Sequence, residues 1–141
     1  MAKPTFASVN VGDEIPPVSA PMSQEKMNTY ADVSGDYNPI HVDVEFAKNT
    51  MFKGTIAHGV LSLNYIYQAL IEWSGGSWPF NGGGLDIAFI NPVRPGDTVT
   101  AKGKVIEKKT EDGKNKVFLD MWAENQNGQK CIVGKATAVL T

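Results

Sequence analysis

From Ala57 to Trp73 the chain runs through Val60, Leu61, Leu63, Ile66, Tyr67, Ala69, Leu70, Ile71 and Trp73, apolar residues that cover most faces of a helix. A helix apolar nearly all round belongs inside a protein, not on its surface. At roughly 16 residues it is too short to span a bilayer, so the rest of the chain must supply its walls. Gly75-Gly76 ends it, and beyond that point the apolar period changes from helical to two. Leu85, Ile87 and Phe89 alternate on one predicted strand. Val99, Ala101, Gly103 and Val105 alternate on a second, and Val117, Leu119, Met121 and Ala123 on a third. A last strand covers Gln129 to Leu140, and an early one over Glu14 to Ser19 can join them. Asp112-Gly113 and Asn127-Gly128 stand where the strands reverse, and both are hairpin signals. One long apolar helix with an antiparallel sheet of about five strands is an α+β domain, and wrapping the sheet around the helix is the simplest way to bury it.

The 141 residues suit a single domain, and no repeat or linker divides them. In the first half a helix is expected from Ser23, its N-cap, with Glu25 in the first turn and Met27, Tyr30, Ala31 and Ser34 at helical spacing. Gly35 ends it. Asp36-Tyr37-Asn38-Pro39 then reads as a loop, because Pro39 disfavours helical backbone at Asn38. A short helix capped by Asp43 follows, with Phe46 and Ala47 turned inward.

Charge and cysteine content exclude several functions. The net charge is −2, and the nearest approach to a basic cluster, Lys102, Lys104, Lys108 and Lys109, alternates or pairs along a strand, so no nucleic-acid footprint is expected. Cys131 is the single cysteine, which rules out an internal disulfide and a multi-cysteine metal site; a buried core thiol is the expected role. Met1 to Asn10 is polar and lacks the apolar core of a secretory signal, so a cytoplasmic location is expected, with no membrane partner. Gly82-Gly83-Gly84 does not match a phosphate-binding glycine loop and reads as a turn.

The two histidines, His41 and His58, both fall between Tyr30 and Ser62. A loop stiffened by Pro39 can turn Asp36 and His41 toward one cavity, and a carboxylate facing an imidazole is an acid/base pair able to work near neutral pH. The same residues have plainer readings. Asp36 can cap the Asn-Pro turn, His41 can be a satisfied core histidine, and His58 can cap or pack at the start of the buried helix. Asp36, His41 and His58, or Asp43, have no recognised metal-ligand spacing, and no metal site is expected.

Tyr30-Ala31-Asp32-Val33-Ser34-Gly35-Asp36-Tyr37-Asn38-Pro39-Ile40-His41, with Ala47 six positions on, closely resembles the signature of the hydratase 2 group within the MaoC-like family. Ile56-Ala57-His58-Gly59 is similar to that family's lead-in to its central helix, and Ile90 to Thr98 to its later strand-and-turn motif. The resemblance implies a hot-dog fold, a homodimer with active sites at or near the subunit interface, and a hydro-lyase that hydrates 2-enoyl thioesters to (R)-3-hydroxyacyl products. It carries the catalytic roles to Asp36 and His41, and a loop-shaping or site-lining role to Asn38. Coenzyme A or acyl carrier protein would carry the acyl group as part of the substrate, and no redox cofactor or metal is required. The enolate oxygen of such a reaction suits backbone N–H groups at a helix N-terminus. Gly59 lies there and admits close approach, either of substrate or of the sheet. A hot-dog thioesterase and a non-catalytic acyl-thioester binding module are the competing readings; the intact Gly-Asp-x-Asn-Pro-Ile-His run argues against the first, and retention of both Asp36 and His41 against the second. Acyl chain length, carrier and pathway stay open.

Overall fold

In a computed structural model, which describes residues 2–141, the elements follow in the order β1 (Val18–Pro21), α1 (Gln24–Ser34), α2 (Pro39–Val42), α3 (Val44–Lys48), α4 (Gly59–Ser74), β2 (Gly84–Phe89), β3 (Thr98–Glu111), β4 (Lys114–Glu124) and β5 (Lys130–Val139). The strands form one sheet in the order β1-β3-β4-β5-β2, with every neighbouring pair antiparallel. α4 lies against β1, β3 and β4. Ile66 and Leu70 at its centre are fully buried, together with Val99, Val105, Val117, Leu119 and Met121 from the sheet. Each such side chain contributes about 1.5–3 kcal/mol by leaving water. The sheet wrapped around one helix is thus the arrangement observed. Among the described residues no helix is long and apolar enough to cross a membrane.

Local chemistry sets most boundaries. The Ser23 hydroxyl accepts from Lys26 N at 3.1 Å and starts α1. Gly35 and Gly75, both at positive φ, close α1 and α4 with left-handed turns that a side chain would strain. Asp112 and Gly113, at φ 54° and 73°, make the two-residue hairpin between β3 and β4. The second hairpin is longer: the Asn125 side-chain oxygen accepts from the N–H groups of Asn127 and Gln129, and Gly128 alone of the Asn-Gly pair is at positive φ.

Four expectations need correction. The first strand lies at Val18–Pro21 instead of Glu14 to Ser19, because Pro16-Pro17 has no N–H to place in a ladder; Glu14 makes only an isolated bridge to Lys104. α4 begins at Gly59, not Ala57, since the Ala57 N–H donates to the Val93 carbonyl at 2.7 Å and holds the chain outside the helix. It is also not buried all round: Val60 and Ile71 are 50% and 43% exposed. Ala47 faces the core as expected, but Phe46 is 49% exposed, one step around a helix of only five residues.

A register shift in the β4–β5 pairing leaves Cys131 without a partner between Ile132 and Lys130. This bulge turns Cys131 and Ile132 both inward, where strict alternation would have exposed one of them. Nearby, Gly134 on β5 lies opposite Ile87 on β2, and a Cβ there would collide with the Asp86 carbonyl oxygen and Ile87. That contact is with backbone and cannot be relieved by a rotamer change. Gly134→Ala is therefore expected to destabilise the protein by about 1–3 kcal/mol. A lowered urea midpoint at an unchanged slope would show it.

Candidate active site

The loop between α1 and α2 is shaped almost entirely by its own side chains. Ser34 Oγ donates to the Tyr30 carbonyl and accepts from Asp36 N at 3.1 Å. Asp36 Oδ1 accepts from Asn38 N at 3.2 Å, and Asn38 Oδ1 accepts from Ile40 N at 3.1 Å. Asn38 is thereby the N-cap of α2, with Pro39 in the first turn, where its missing N–H has no consequence. One turn of helix then carries His41 to the protein interior.

His41 is held from two directions. Its carbonyl accepts from the Gln24 side chain at 2.8 Å, and Gln24 Oε1 accepts from the Thr55 hydroxyl at 2.7 Å. Its ring Nδ1 lies 2.7 Å from the Ile56 carbonyl oxygen, which can only accept, so Nδ1 carries the proton and Nε2 presents a lone pair. Nε2 stands 3.9 Å from Asp36 Oδ2. That gap is too long for a direct hydrogen bond, yet one water can bond both atoms. The His41 side chain is 13% exposed and that of Asp36 is 50% exposed.

His58 completes the cluster. It occupies the N-cap position of α4 without making a side-chain cap. Its Nε2 donates to the Asp36 carbonyl at 3.0 Å, its ring stacks on His41 with centroids 4.0 Å apart, and Tyr30 meets it edge-on at 4.8 Å. It is buried, and burial holds its imidazole below the ordinary histidine range. A charge on His41 would push the same way, while the Asp36 carbonyl and carboxylate pull against both. Ligand atoms of Asp36, His41 and His58 fall within 4.8 Å of one another. Each histidine has one ring nitrogen bonded to a backbone carbonyl, which leaves the other, His41 Nε2 and His58 Nδ1, with its lone pair unused by that bond.

His41 forms part of the wall of a cavity of about 440 Å³. Gly59, Val60, Phe89 and Asn91 to Val93 line much of the rest, and Cys131 and Ile132, turned inward by the bulge, close one side. The N–H groups of Gly59 and Val60, at the N-terminus of the 16-residue α4, have no acceptor among the described residues. The buried Ser62 hydroxyl, one turn along the same helix and also on the cavity wall, has no partner either. A Cβ on Gly59 would lie 2.8 Å from the Phe89 ring, so the missing side chain makes room for the sheet at this point. The arrangement has the parts for acid/base chemistry at one carbon of an apolar ligand and for charge stabilisation next to it. Gln24 and Thr55, which fix His41, carried no recognisable signal in the sequence; their link spans 31 positions.

The MaoC like domain profile matches residues 8–126. Over 95 residues the chain is 40% identical to the (R)-specific enoyl-CoA hydratase of Rhodospirillum rubrum, a match covering 62% of this chain and 63% of that protein. Over 118 residues it is 34% identical to the peroxisomal hydratase-dehydrogenase-epimerase of Saccharomyces cerevisiae, covering 76% of this chain and 13% of that one. The chain thus spans less than two thirds of the length of either relative. Among solved structures it is similar to the unliganded R-hydratase PhaJ1 from Pseudomonas aeruginosa, with 31% identity and a TM-score of 0.79 over 96% of this chain and 84% of that one. The helix-in-sheet architecture is the hot-dog fold, and the chain belongs to the MaoC-like domain family.

Proposed function

We propose that this protein reversibly hydrates trans-2-enoyl thioesters to (R)-3-hydroxyacyl thioesters, carried on coenzyme A or acyl carrier protein. The observation that bears most weight is the 3.9 Å separation of Asp36 Oδ2 and His41 Nε2 beside an apolar cavity. A water bonded to both atoms loses a proton to one of them as its oxygen attacks Cβ, and the pair returns a proton to Cα. The two residues act as a unit, so the two steps are assigned to the pair. As Cβ is attacked, the thioester oxygen takes on enolate charge. The Gly59 N–H, without an acceptor among the described residues, supports a role at that oxygen, on the cavity wall at the positive end of α4. Asn38 contributes by capping α2, which orients His41.

The active form is a homodimer in this reading. β2 is an edge strand of the sheet, and Val60, Phe89 and Ile90 expose apolar surface at its end, next to the cavity. A second copy placed along this edge would cover the strand and its exposed apolar residues beside the cavity.

With crotonyl-CoA, the enoyl absorbance is expected to fall without release of free thiol; thiol release would mark a thioesterase instead. Asp36→Asn and His41→Gln should each lower turnover by ~100-fold to 10,000-fold while leaving the fold intact, and wild-type rates in either folded variant would remove that residue from the mechanism. The stereochemistry is checked by coupling to an (S)-specific 3-hydroxyacyl-CoA dehydrogenase, which should yield no NADH. Sedimentation at micromolar concentration should give the mass of two chains.

A further inference from the structure

We propose that His58 is a positioning residue, which sets the Asp36–His41 separation by donating Nε2–H to the Asp36 carbonyl while its ring stacks on His41. The inference rests on the hydratase reading for its kinetic consequence, but its geometry stands alone. His58 contacts both members of the pair: it holds the backbone of Asp36 at 3.0 Å and the ring of His41 at a centroid distance of 4.0 Å. Tyr30, packed edge-on at 4.8 Å, fixes the ring from the α1 side. Because His58 is the residue immediately before α4, it ties the acid/base loop to the helix end that carries the free Gly59 N–H. The water site and the N–H donors are thereby held in one frame.

The ring is suited to this task only as the neutral Nε2–H tautomer. A backbone carbonyl can only accept, so the proton is on Nε2, and Nδ1 is left buried without a partner among the described residues. A second proton on Nδ1 would be a buried donor with no acceptor. The groups that face the ring are the Asp36 carbonyl and carboxylate from the loop, His41 from α2 and Tyr30 from α1. Burial and His41 oppose a charge on His58. The depressed pKa also has a sign for stability. The unfolded chain binds a proton at this histidine below about pH 6.5, and the folded chain resists it, so this contribution is present above that pH and is lost as pH falls.

Two substitutions separate the two contacts. His58→Gln retains an N–H donor and removes the ring; His58→Phe retains the ring and removes the donor. In both folded variants kcat with crotonyl-CoA should fall by roughly 10-fold to 100-fold with KM nearly unchanged, because displacement of a catalytic group by about 1 Å has that effect. The Gln variant should retain more activity than the Phe variant. Nitrogen-15 NMR of the wild type, which has two histidines, should show His58 as Nε2–H, with its titration displaced below that of a free histidine. Wild-type kcat in the folded variants, a loss confined to KM, or a proton on Nδ1 would overturn the proposal. If neither variant folds, the tautomer in the wild type decides. Absence of turnover in the wild type would instead sink the hydratase reading, and the kinetic role of His58 with it.

Discussion

The stretch from Thr55 to His58 is tied down on both sides before α4 begins, and the site depends on that restraint. Ile56 N donates to the Ile40 carbonyl at 3.1 Å, and Ala57 N to the Val93 carbonyl at 2.7 Å. The first bond joins the stretch to α2, which carries His41, and the second joins it to the segment after β2 that walls the cavity. Since α4 is also gripped by the core through Ile66 and Leu70, its N-terminus cannot drift relative to the sheet. A buried helix thus serves as a fixed post, and the segment at its foot bonds His41 through the Ile56 carbonyl and Asp36 through His58. Such pre-set geometry lets a few polar groups act on a substrate without reorganising first.

What could be foreseen from the residues divides along the range of the interaction. Ser23, Gly35, Gly75 and the Asp112-Gly113 turn act through neighbours a few positions away, and their elements stand where expected. The alternation of Val99 to Val105 and of Val117 to Ala123 is equally local, because it reports which face of a strand is dry. The Cys131 bulge was not foreseen, since it is a property of how two strands are registered. The offset of β1 was legible in principle: Pro16-Pro17 should have argued against a strand running through both residues.

The site shows the same division. Asp36, Asn38 and His41 fall within one run of six residues, and a motif carried them. The Gln24–Thr55 link and the three contacts of His58 join residues distant in sequence, and only the folded chain brings them together. His58 was legible as a residue at a helix start, but its use there is not that of a cap: its side chain turns away from the helix amides and toward the loop. A propensity argument reads the position correctly and still misses the role, because that role lies in contacts with another element.

The strand order has a consequence for how the chain assembles. β2 pairs only with β5, so the strand that ends at Phe89 has no hydrogen-bonding neighbour in the sheet until the last ten-residue strand arrives. The two ends of the chain also meet, with Phe6 N donating to the Thr141 carbonyl at 2.9 Å. The β3–β4 hairpin can form early from local contacts, whereas the cavity wall beyond β2 must wait for the C-terminal segment. During synthesis the Asp36–His41 loop and α4 are therefore made long before the cavity beside them can close, and a ribosome-bound chain lacking β5 would hold Asp36 and His41 without the Cys131–Ile132 wall of that cavity.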